Sequence, residues 1–324
     1  MSLQAQAFWV AEPGRGELRS EALERPGPDQ VLVRALFSGI SRGTESLVFA
    51  GRVPQSESAR MRCPFQQGDF PGPVKYGYAS VGEILEGPDD LLGEIVFCLF
   101  PHQDLYLVPA SAAVVLPQGL PPERAVLAAN METALNGLWD SDIGAGDRVC
   151  VVGAGVVGAL LAWLAVKIPG TEVCLVDINA KRRALAEALG VRFAGPDDAP
   201  DEQDVVIHAS GSEAGLVHSL ALAGQEALVL EMSWFGQSRP SLPLGEAFHS
   251  RRLSLRASQV GRIPSSHQAR WDHRRRLAKA LELLQDPALD ALISGESGFS
   301  ELPAVMMRLT AADQDALCHR IRYG

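Results

Sequence analysis

The chain contains few cysteines, no long apolar run and more acidic than basic residues. Its five cysteines are scattered over 324 residues without a C-x-x-C pair, which excludes a disulfide framework and a structural zinc knot. No run approaches the roughly 20 apolar residues of a membrane span, and no basic segment followed by an apolar stretch begins the sequence. A formal net charge of −10 at pH 7 disfavours nucleic acid and anionic membrane surfaces as partners. A cytoplasmic protein is therefore predicted.

The sequence changes character near Pro121 and Pro122. With about 100–200 residues per domain, this length predicts two domains. The part before residue 122 consists of short β-like runs between glycines and prolines, which is typical of a compact β-barrel-like domain. The strands predicted there are Ala5–Val10, Gln30–Leu36, Val74–Leu85, Gly93–Leu99 and Asp104–Val108.

After this point helical and strand-like runs alternate, which predicts an α/β fold with a parallel, doubly wound sheet. The predicted strands are Glu172–Val176, Val205–Ala209, Ala227–Glu231, Leu253–Ala257 and a closing Leu317–Arg322. The predicted helices are Glu123–Trp139, Val156–Lys167, Lys181–Leu189, Ala214–Ala223, His267–Leu284 and Leu302–Leu309. The triplet Arg274–Arg276 in the fifth of these helices is interpreted as a solvated face.

A glycine-rich turn between a short apolar strand and an apolar helix predicts a dinucleotide site. Gly153 permits the tight turn, Gly155 lets the backbone approach a pyrophosphate, and Gly158 lets the helix lie close to the sheet. The amino end of that helix, at Val156 and Val157, would face the phosphates. Asp177 ends the next strand, where a carboxylate accepts hydrogen bonds from the adenosine ribose, so NAD is favoured over NADP.

The order of elements and several short segments resemble the medium-chain dehydrogenase/reductase superfamily over nearly the whole chain. The segments are Ser38–Glu45 (SGISRGTE), Gly77–Gly82 (GYASVG), Glu132–Leu135 (ETAL), Gly146–Val149 (GDRV), the glycine-rich turn and His208–Gly211 (HASG). The resemblance implies a GroES-like catalytic domain at 1–121, an NAD-binding Rossmann domain at 122–261 and a return to the catalytic domain at 262–324. It also adds Ser210 and Gly211 to the candidate cofactor-binding residues.

Within that superfamily, Ser-Arg-Gly-Thr-Glu and the following Gly-Arg-Val-Pro resemble bacteriochlorophyllide dehydrogenases. This subgroup oxidises a hydroxyethyl side chain on a tetrapyrrole.

The chain departs from the superfamily at the positions that would hold a catalytic zinc. The resemblance implies ligands where this chain has Ser41, Tyr78 and Ala79, so only Glu132 keeps a ligand-competent side chain. A lone carboxylate cannot hold zinc, and the cysteines of a structural zinc loop are missing between Gly93 and Leu116. A metal-free member is predicted. Glu132 is either catalytic or a buried helix residue paired with an arginine or a capping group.

Hydride transfer without zinc still needs a group that stabilises or protonates the substrate oxygen. Tyr78 is the first candidate because it replaces a ligand, and a nearby Lys75 could lower its pKa. Ser41 and Thr44 could orient the substrate hydroxyl. His102 is interpreted either as a general base on a loop between strands or as a surface histidine. His208 and His249 are weaker candidates.

The residues alone leave two points open, the charge of the substrate and the function. If Arg42, Arg52, Arg60, Arg62 and Lys75 converge, they favour an anionic substrate; otherwise they cover an exposed loop. The function predicted is a zinc-free, NAD-dependent oxidoreductase of an alcohol or carbonyl group. The alternatives are a dinucleotide-binding sensor without chemistry, and a zinc-free alkene or quinone reductase. The resemblance implies a homodimer joined at the last strand of the nucleotide sheet, which is either Ala227–Glu231 or Leu253–Ala257.

Overall fold

The structure is a computed structural model that describes residues 3–311 and 314–324. The chain forms two compact units, one of Met1–Ala129 with Leu277–Gly324, and one of Asn130–Arg276. The sequence predicts the boundaries between these units at 121/122 and 261/262. The first boundary lies later because the helical turn after Pro121 packs against strands of the first unit. The second boundary lies later because Arg276 bonds to Glu132 of the second unit.

Up to residue 125, the first unit is built from antiparallel strands. Its elements up to residue 125 are β1 (Leu3–Glu12), β2 (Arg15–Leu23), β3 (Gln30–Ile40), α1 (Arg42–Phe49), β4 (Gln67–Gly68), β5 (Val74–Lys75), β6 (Ser80–Glu86), β7 (Ile95–Cys98), β8 (Leu105–Pro109), β9 (Val114–Val115) and α2 (Pro122–Ala125). One sheet has the order β2-β1-β5-β4. Every second residue of β3, from Val31 to Ala35, enters an apolar core shared with β6, β7 and β8, as a half-buried strand requires.

The second unit is a parallel nucleotide-binding sheet with helices. Its elements are α3 (Ala128–Ser141), which begins in the first unit, β10 (Arg148–Val152), α4 (Val156–Ala165), β11 (Glu172–Val176), α5 (Arg182–Ala188), β12 (Arg192–Ala194), β13 (Gln203–His208), α6 (Glu213–Leu222), β14 (Ala223–Glu231) and β15 (Ser254–Ala257). The sheet order is β12-β11-β10-β13-β14-β15, with every pairing parallel. This is the strand order of a Rossmann fold, which confirms the predicted doubly wound sheet.

The chain then returns to the first unit. It passes through α7 (His273–Leu283), β16 (Ile293–Gly298), α8 (Leu302–Leu309) and β17 (Cys318–Arg322). The second sheet of the first unit has the order β16-β17-β3-β6-β7-β9, and β8 pairs with β3. No helix in the described ranges is both long and apolar enough to cross a membrane.

Three predicted elements are wrong in extent. The strand predicted for Val74–Leu85 is interrupted after Lys75, because β5 pairs in one sheet and β6 in the other. The helix predicted for Glu123–Trp139 breaks between α2 and α3, where Val126 packs against Gly39 of β3. The helix predicted for His267–Leu284 begins only at His273, since the side chain of Asp272 accepts the backbone N–H of Arg275 and caps it.

Candidate functional site

The glycine-rich turn of the second unit has the geometry that a dinucleotide needs. Gly153 has φ +111°, and a Cβ there would lie 2.6 Å from the backbone nitrogen of Ser210. A Cβ on Gly158 would lie 1.9 Å from the carbonyl oxygen of Gly153, so α4 lies against the turn only because position 158 has no side chain. A Cβ on Gly155 would meet nothing within 4 Å. The turn is therefore tight on its inner side and open at Gly155, beside the amino end of α4.

The carboxylate of Asp177 is held beside this turn. It follows β11 and accepts the backbone N–H of Ala154 at 2.7 Å and that of Asn179 at 2.8 Å. A carboxylate has about four lone-pair sites, so it can also accept hydrogen bonds from sugar hydroxyls. Ile178 is 90% exposed; the sequence reasoning passed over this apolar side chain next to the acid.

Hydrogen bonds also connect the carboxyl ends of β13 and β14. Nδ1 of His208 lies 2.7 Å from Oε2 of Glu231, and Nε2 lies 2.6 Å from Oγ of Ser210. The backbone N–H of Gly211 donates to the Ser233 hydroxyl at 3.0 Å. His208 is fully buried, whereas Ser210 is exposed.

In the first unit, Tyr78 lies in the loop between β5 and β6, and its hydroxyl lies near the side chains of Ser41 and Thr44 at the start of α1. Burial, and secondarily the charge of Glu45, raise the pKa of Tyr78 well above its ordinary value. The expectation that Lys75 lowers the pKa of Tyr78 is wrong. The Lys75 ammonium is buried and donates to Glu21 and Gln103, at 2.7 Å each. Tyr78 is therefore a protonated phenol at neutral pH.

His102 is buried, with 1% of its surface exposed. Its Nε2 lies 2.9 Å from Oε2 of Glu45, and its Nδ1 lies 2.7 Å from the Ser38 hydroxyl. That hydroxyl lies 3.0 Å from the hydroxyl of Tyr323. The other oxygen of Glu45 accepts the backbone N–H of Ser41 at 2.7 Å. Glu45 thus connects His102 to the start of α1, and the interpretation of His102 as a surface histidine is wrong.

Known proteins with similar sequences are dehydrogenases. The chain is 30% identical to 2-desacetyl-2-hydroxyethyl bacteriochlorophyllide A dehydrogenase of Rhodobacter capsulatus over 237 residues, which covers 67% of this chain and 69% of that protein. The chain belongs to the medium-chain dehydrogenase/reductase superfamily. It is also 25% identical to D-guloside 3-dehydrogenase of Escherichia coli over 314 residues, covering 86% and 89% of the two chains. No protein-family model matches the chain.

The fold agrees with this membership. A structure classed as a zinc-binding dehydrogenase from Sinorhizobium meliloti 1021, bound to NADP, superimposes with a TM-score of 0.79 over 99% of both chains, at 22% sequence identity. The two units are thus the GroES-like and Rossmann domains of the superfamily.

The residues present do not fit the catalytic zinc of zinc-type superfamily members. The ligand positions of the GroES-like unit hold a hydroxyl, a phenol and a methyl group, at Ser41, Tyr78 and Ala79. Within residues 3–311 and 314–324, no three or more His, Cys, Asp or Glu side chains are grouped so as to hold a metal.

Glu132 is part of a buried ion pair in the Rossmann unit. Its Oε1 accepts from Nε of Arg276 at 2.9 Å, and these side chains are 5% and 2% exposed. Burial raises the pKa of Glu132, while the Arg276 charge opposes that shift. The prediction that Arg274–Arg276 form a solvated face is therefore wrong for Arg276, which is buried. Of the two roles open for Glu132, the structure favours pairing with an arginine over catalysis.

The predicted basic cluster does not converge on one point. Arg42 donates to the backbone carbonyls of Gln314 and Ala316. The other contacts are local, between Arg60 and Glu57, Arg62 and Asp69, and Lys75 and Glu21. Four of the five predicted cations therefore have partners within the chain, and the anionic substrate stays a prediction.

Sequence reasoning missed Glu45 and Ser38 as partners of His102, and Tyr323 as a partner of Ser38. Glu45 could have been found, because it follows Gly-Thr in the segment that carries the resemblance. Ser38 opens the same segment, but a single serine gives no signal of its partner. Tyr323 lies 285 residues from Ser38, and no local pattern connects them.

Proposed function

We propose that the protein is an NAD(H)-dependent oxidoreductase that interconverts an alcohol and a carbonyl compound without a catalytic metal. The main support is the Tyr78 hydroxyl, which lies near the side chains of Ser41 and Thr44. By resemblance, Ser41 and Tyr78 occupy positions where zinc-type relatives hold metal ligands. The open backbone at Gly155 beside the amino end of α4 supports dinucleotide binding. The dehydrogenase activities named for the Rhodobacter capsulatus and Escherichia coli relatives support the reaction class.

The preference for NAD rests on Asp177. A carboxylate bonds a free ribose 2′-hydroxyl and repels a 2′-phosphate. The two backbone N–H groups that hold Asp177 fix the carboxylate beside the turn.

Tyr78 acts by hydrogen bonding at the substrate oxygen. The bound dinucleotide supplies or accepts the hydride. A neutral phenol donates a hydrogen bond to a carbonyl oxygen, and that bond strengthens as negative charge develops there. Because its pKa is raised, Tyr78 stays protonated and gives up its proton reluctantly, so it contributes a hydrogen bond and not a transferred proton. The hydroxyls of Ser41 and Thr44, which lie near Tyr78, are the groups that would pass a proton onward.

Fluorescence titration and a turnover screen test the proposal. NADH should bind more tightly than NADPH; equal affinities would remove the argument from Asp177. Turnover is then measured with NAD and NADH over alcohols, aldehydes and cyclic substrates. Tight NADH binding with no turnover of any of these would favour the dinucleotide-binding sensor.

Elemental analysis tests the absence of a catalytic metal. The purified protein should contain no stoichiometric zinc, and chelators should leave its activity unchanged. One zinc ion per chain would contradict the proposal.

A further inference from the structure

The hydrogen bonds around His208 form one continuous line in the Rossmann unit. The backbone N–H of Ser233 donates to Oε1 of Glu231 at 2.6 Å, and Oε2 of Glu231 lies 2.7 Å from Nδ1 of His208. Nε2 of His208 lies 2.6 Å from Oγ of Ser210. Ser210 Oγ lies 2.9 Å from the Ser212 hydroxyl and 3.3 Å from the Ser212 backbone nitrogen. The line runs from a nearly buried carboxylate to an exposed hydroxyl.

With a neutral His208, the ionised carboxylate of Glu231 sets the direction of each bond in the line. An ionised Glu231 can only accept, so Nδ1 of His208 donates to it. A neutral imidazole with a proton on Nδ1 has an unprotonated Nε2, so the hydroxyl of Ser210 donates inward to that nitrogen. The outward side of Ser210 Oγ is then left with lone pairs only. One can accept from the Ser212 hydroxyl, and the other receives only the long contact from the Ser212 backbone.

The backbone of Ser210 lies beside the turn that is proposed to hold the dinucleotide. A Cβ on Gly153 would be 2.6 Å from the Ser210 backbone nitrogen. The backbone also joins β10 to the start of this segment, because Ala209 donates to Val152 at 2.8 Å. Ser210 therefore reaches the same carboxyl edge of the sheet as the glycine-rich turn.

We propose that Glu231 and His208 are positioning residues that make Ser210 an acceptor for a hydroxyl of the bound dinucleotide's sugar. This inference rests on the proposed function. A sugar hydroxyl is a donor and replaces the long bond from the Ser212 backbone. A phosphate oxygen accepts only and gains nothing at this position. Superfamily membership does not assign this role to the Glu231–His208 pair, which lies behind the residue that meets the ligand.

The variant Glu231→Gln should exchange the donor and acceptor roles along the line, because glutamine has nearly the shape of glutamate but carries an NH₂ donor. The Ser233 N–H still needs an acceptor, so the amide oxygen takes that side and the amide NH₂ faces Nδ1 of His208. The imidazole proton then moves to Nε2, and the Ser210 hydroxyl turns its hydrogen outward. ¹⁵N NMR of histidine-labelled protein reports the tautomer directly: the wild type should carry the proton on Nδ1 and the variant on Nε2. A wild-type His208 protonated on Nε2 or on both nitrogens would overturn the proposal.

Binding of NADH then tests the role of the line. Because one hydrogen bond to the ligand is lost, Ser210→Ala should weaken NADH binding about fivefold. In Glu231→Gln the sugar hydroxyl must accept from Ser210 instead of donating to it, so binding should weaken by no more than in Ser210→Ala. The double variant should lose no more than Ser210→Ala, since Glu231 acts only through Ser210. Ser210 is exposed, so Ser210→Ala keeps the test available if Glu231→Gln does not fold.

Glu213→Gln is the matched control. It removes the same charge from the first turn of α6, where Glu213 caps the backbone N–H of Ser241 without contacting His208. Its NADH affinity should equal that of the wild type. Unchanged affinity in Ser210→Ala, or equal losses in Glu213→Gln and Glu231→Gln, would overturn the inference while leaving the proposed function intact. A wild type that binds neither NADH nor NADPH would instead refute the proposed function.

Discussion

Tyr78 remains a neutral hydrogen-bond donor at physiological pH, because burial and the nearby Glu45 charge both raise its pKa. Its chemical contribution is therefore the hydroxyl, which can be removed without changing the volume of the ring. This separates a role at the substrate from a role in packing.

Tyr78→Phe should lower kcat about 100-fold, since one hydrogen bond to a developing oxyanion is lost. NADH affinity should stay at the wild-type value. The matched control is Tyr76→Phe, because Tyr76 packs edge-on against Tyr78 with ring centroids 5.9 Å apart. Steady-state kinetics with any substrate from the turnover screen provide the measurement. Wild-type kcat in Tyr78→Phe would show that Tyr78 only fills space.

The ion pair of Glu132 and Arg276 gives a second prediction at this scale. Arg276→Met leaves a buried carboxylate without its partner and should lower the free energy of unfolding by about 3–5 kcal/mol. Arg275→Met, which removes an exposed guanidinium stacked on Trp271, should cost no more than about 1 kcal/mol. Urea denaturation followed by circular dichroism measures both.

The stability deficit of Arg276→Met should also depend on pH. Burial already raises the pKa of Glu132, and Arg276 opposes this shift, so loss of the arginine raises that pKa further. A group with a raised folded-state pKa destabilises the folded state above its unfolded pKa and not below it. The deficit should therefore shrink as the pH falls toward about 4, near the ordinary glutamate value. A deficit that is constant with pH would mean that Arg276 contributes packing alone.

At the scale of elements, periodicity predicted the Rossmann unit better than the GroES-like one. The apolar runs of β11 and β13 are buried continuously, which makes parallel strands easy to recognise. By contrast, β2 was missed because its residues Arg15–Leu23 alternate charged and small side chains and none is fully buried. The loop at Tyr76–Ala79 could not be predicted from the run, since it exists only because β5 and β6 join different sheets.

The residues of the candidate site also fall into two groups, those that the sequence could predict and those that it could not. Motif positions such as Gly153, Asp177 and Tyr78 could be named from the sequence, because spacing and resemblance both identify them. Their partners could not, because contacts such as Ser38 with Tyr323 and His208 with Glu231 depend on which strands lie side by side.

In the turn between β10 and α4, one alanine substitution should weaken NADH binding and another should destabilise the fold. Gly155→Ala should leave stability unchanged, because its φ is −74° and its Cβ meets open space. It should nevertheless weaken NADH binding, since the methyl group projects where the pyrophosphate would approach. Gly158→Ala should destabilise the fold, because its Cβ would overlap the Gly153 carbonyl oxygen. Thermal melting and NADH titration separate the two effects. Equal NADH affinity in Gly155→Ala and the wild type would mean that the pyrophosphate does not approach this turn.

At the scale of the whole molecule, the exposed edge of the parallel sheet is the natural surface for a second copy of the chain. The edge strand is β15, and all four of its residues are exposed. An open strand edge with unpaired backbone groups is a site for pairing with another chain, and closed twofold dimers are the commonest assembly. Of the two strands that the sequence offered for this role, β14 lies inside the sheet and β15 at its edge.

We expect a homodimer in which β15 pairs with its copy across a twofold axis. Leu255 is 39% exposed on this strand, so Leu255→Asp would place two like charges close to the axis and should convert the dimer to a monomer. Leu92→Asp, at another exposed leucine in the GroES-like unit, is the matched control and should leave the mass unchanged. Light scattering at micromolar concentration provides the measurement. A monomeric wild type contradicts the prediction, and a Leu255→Asp variant that stays dimeric would mean that the copies meet on a different surface.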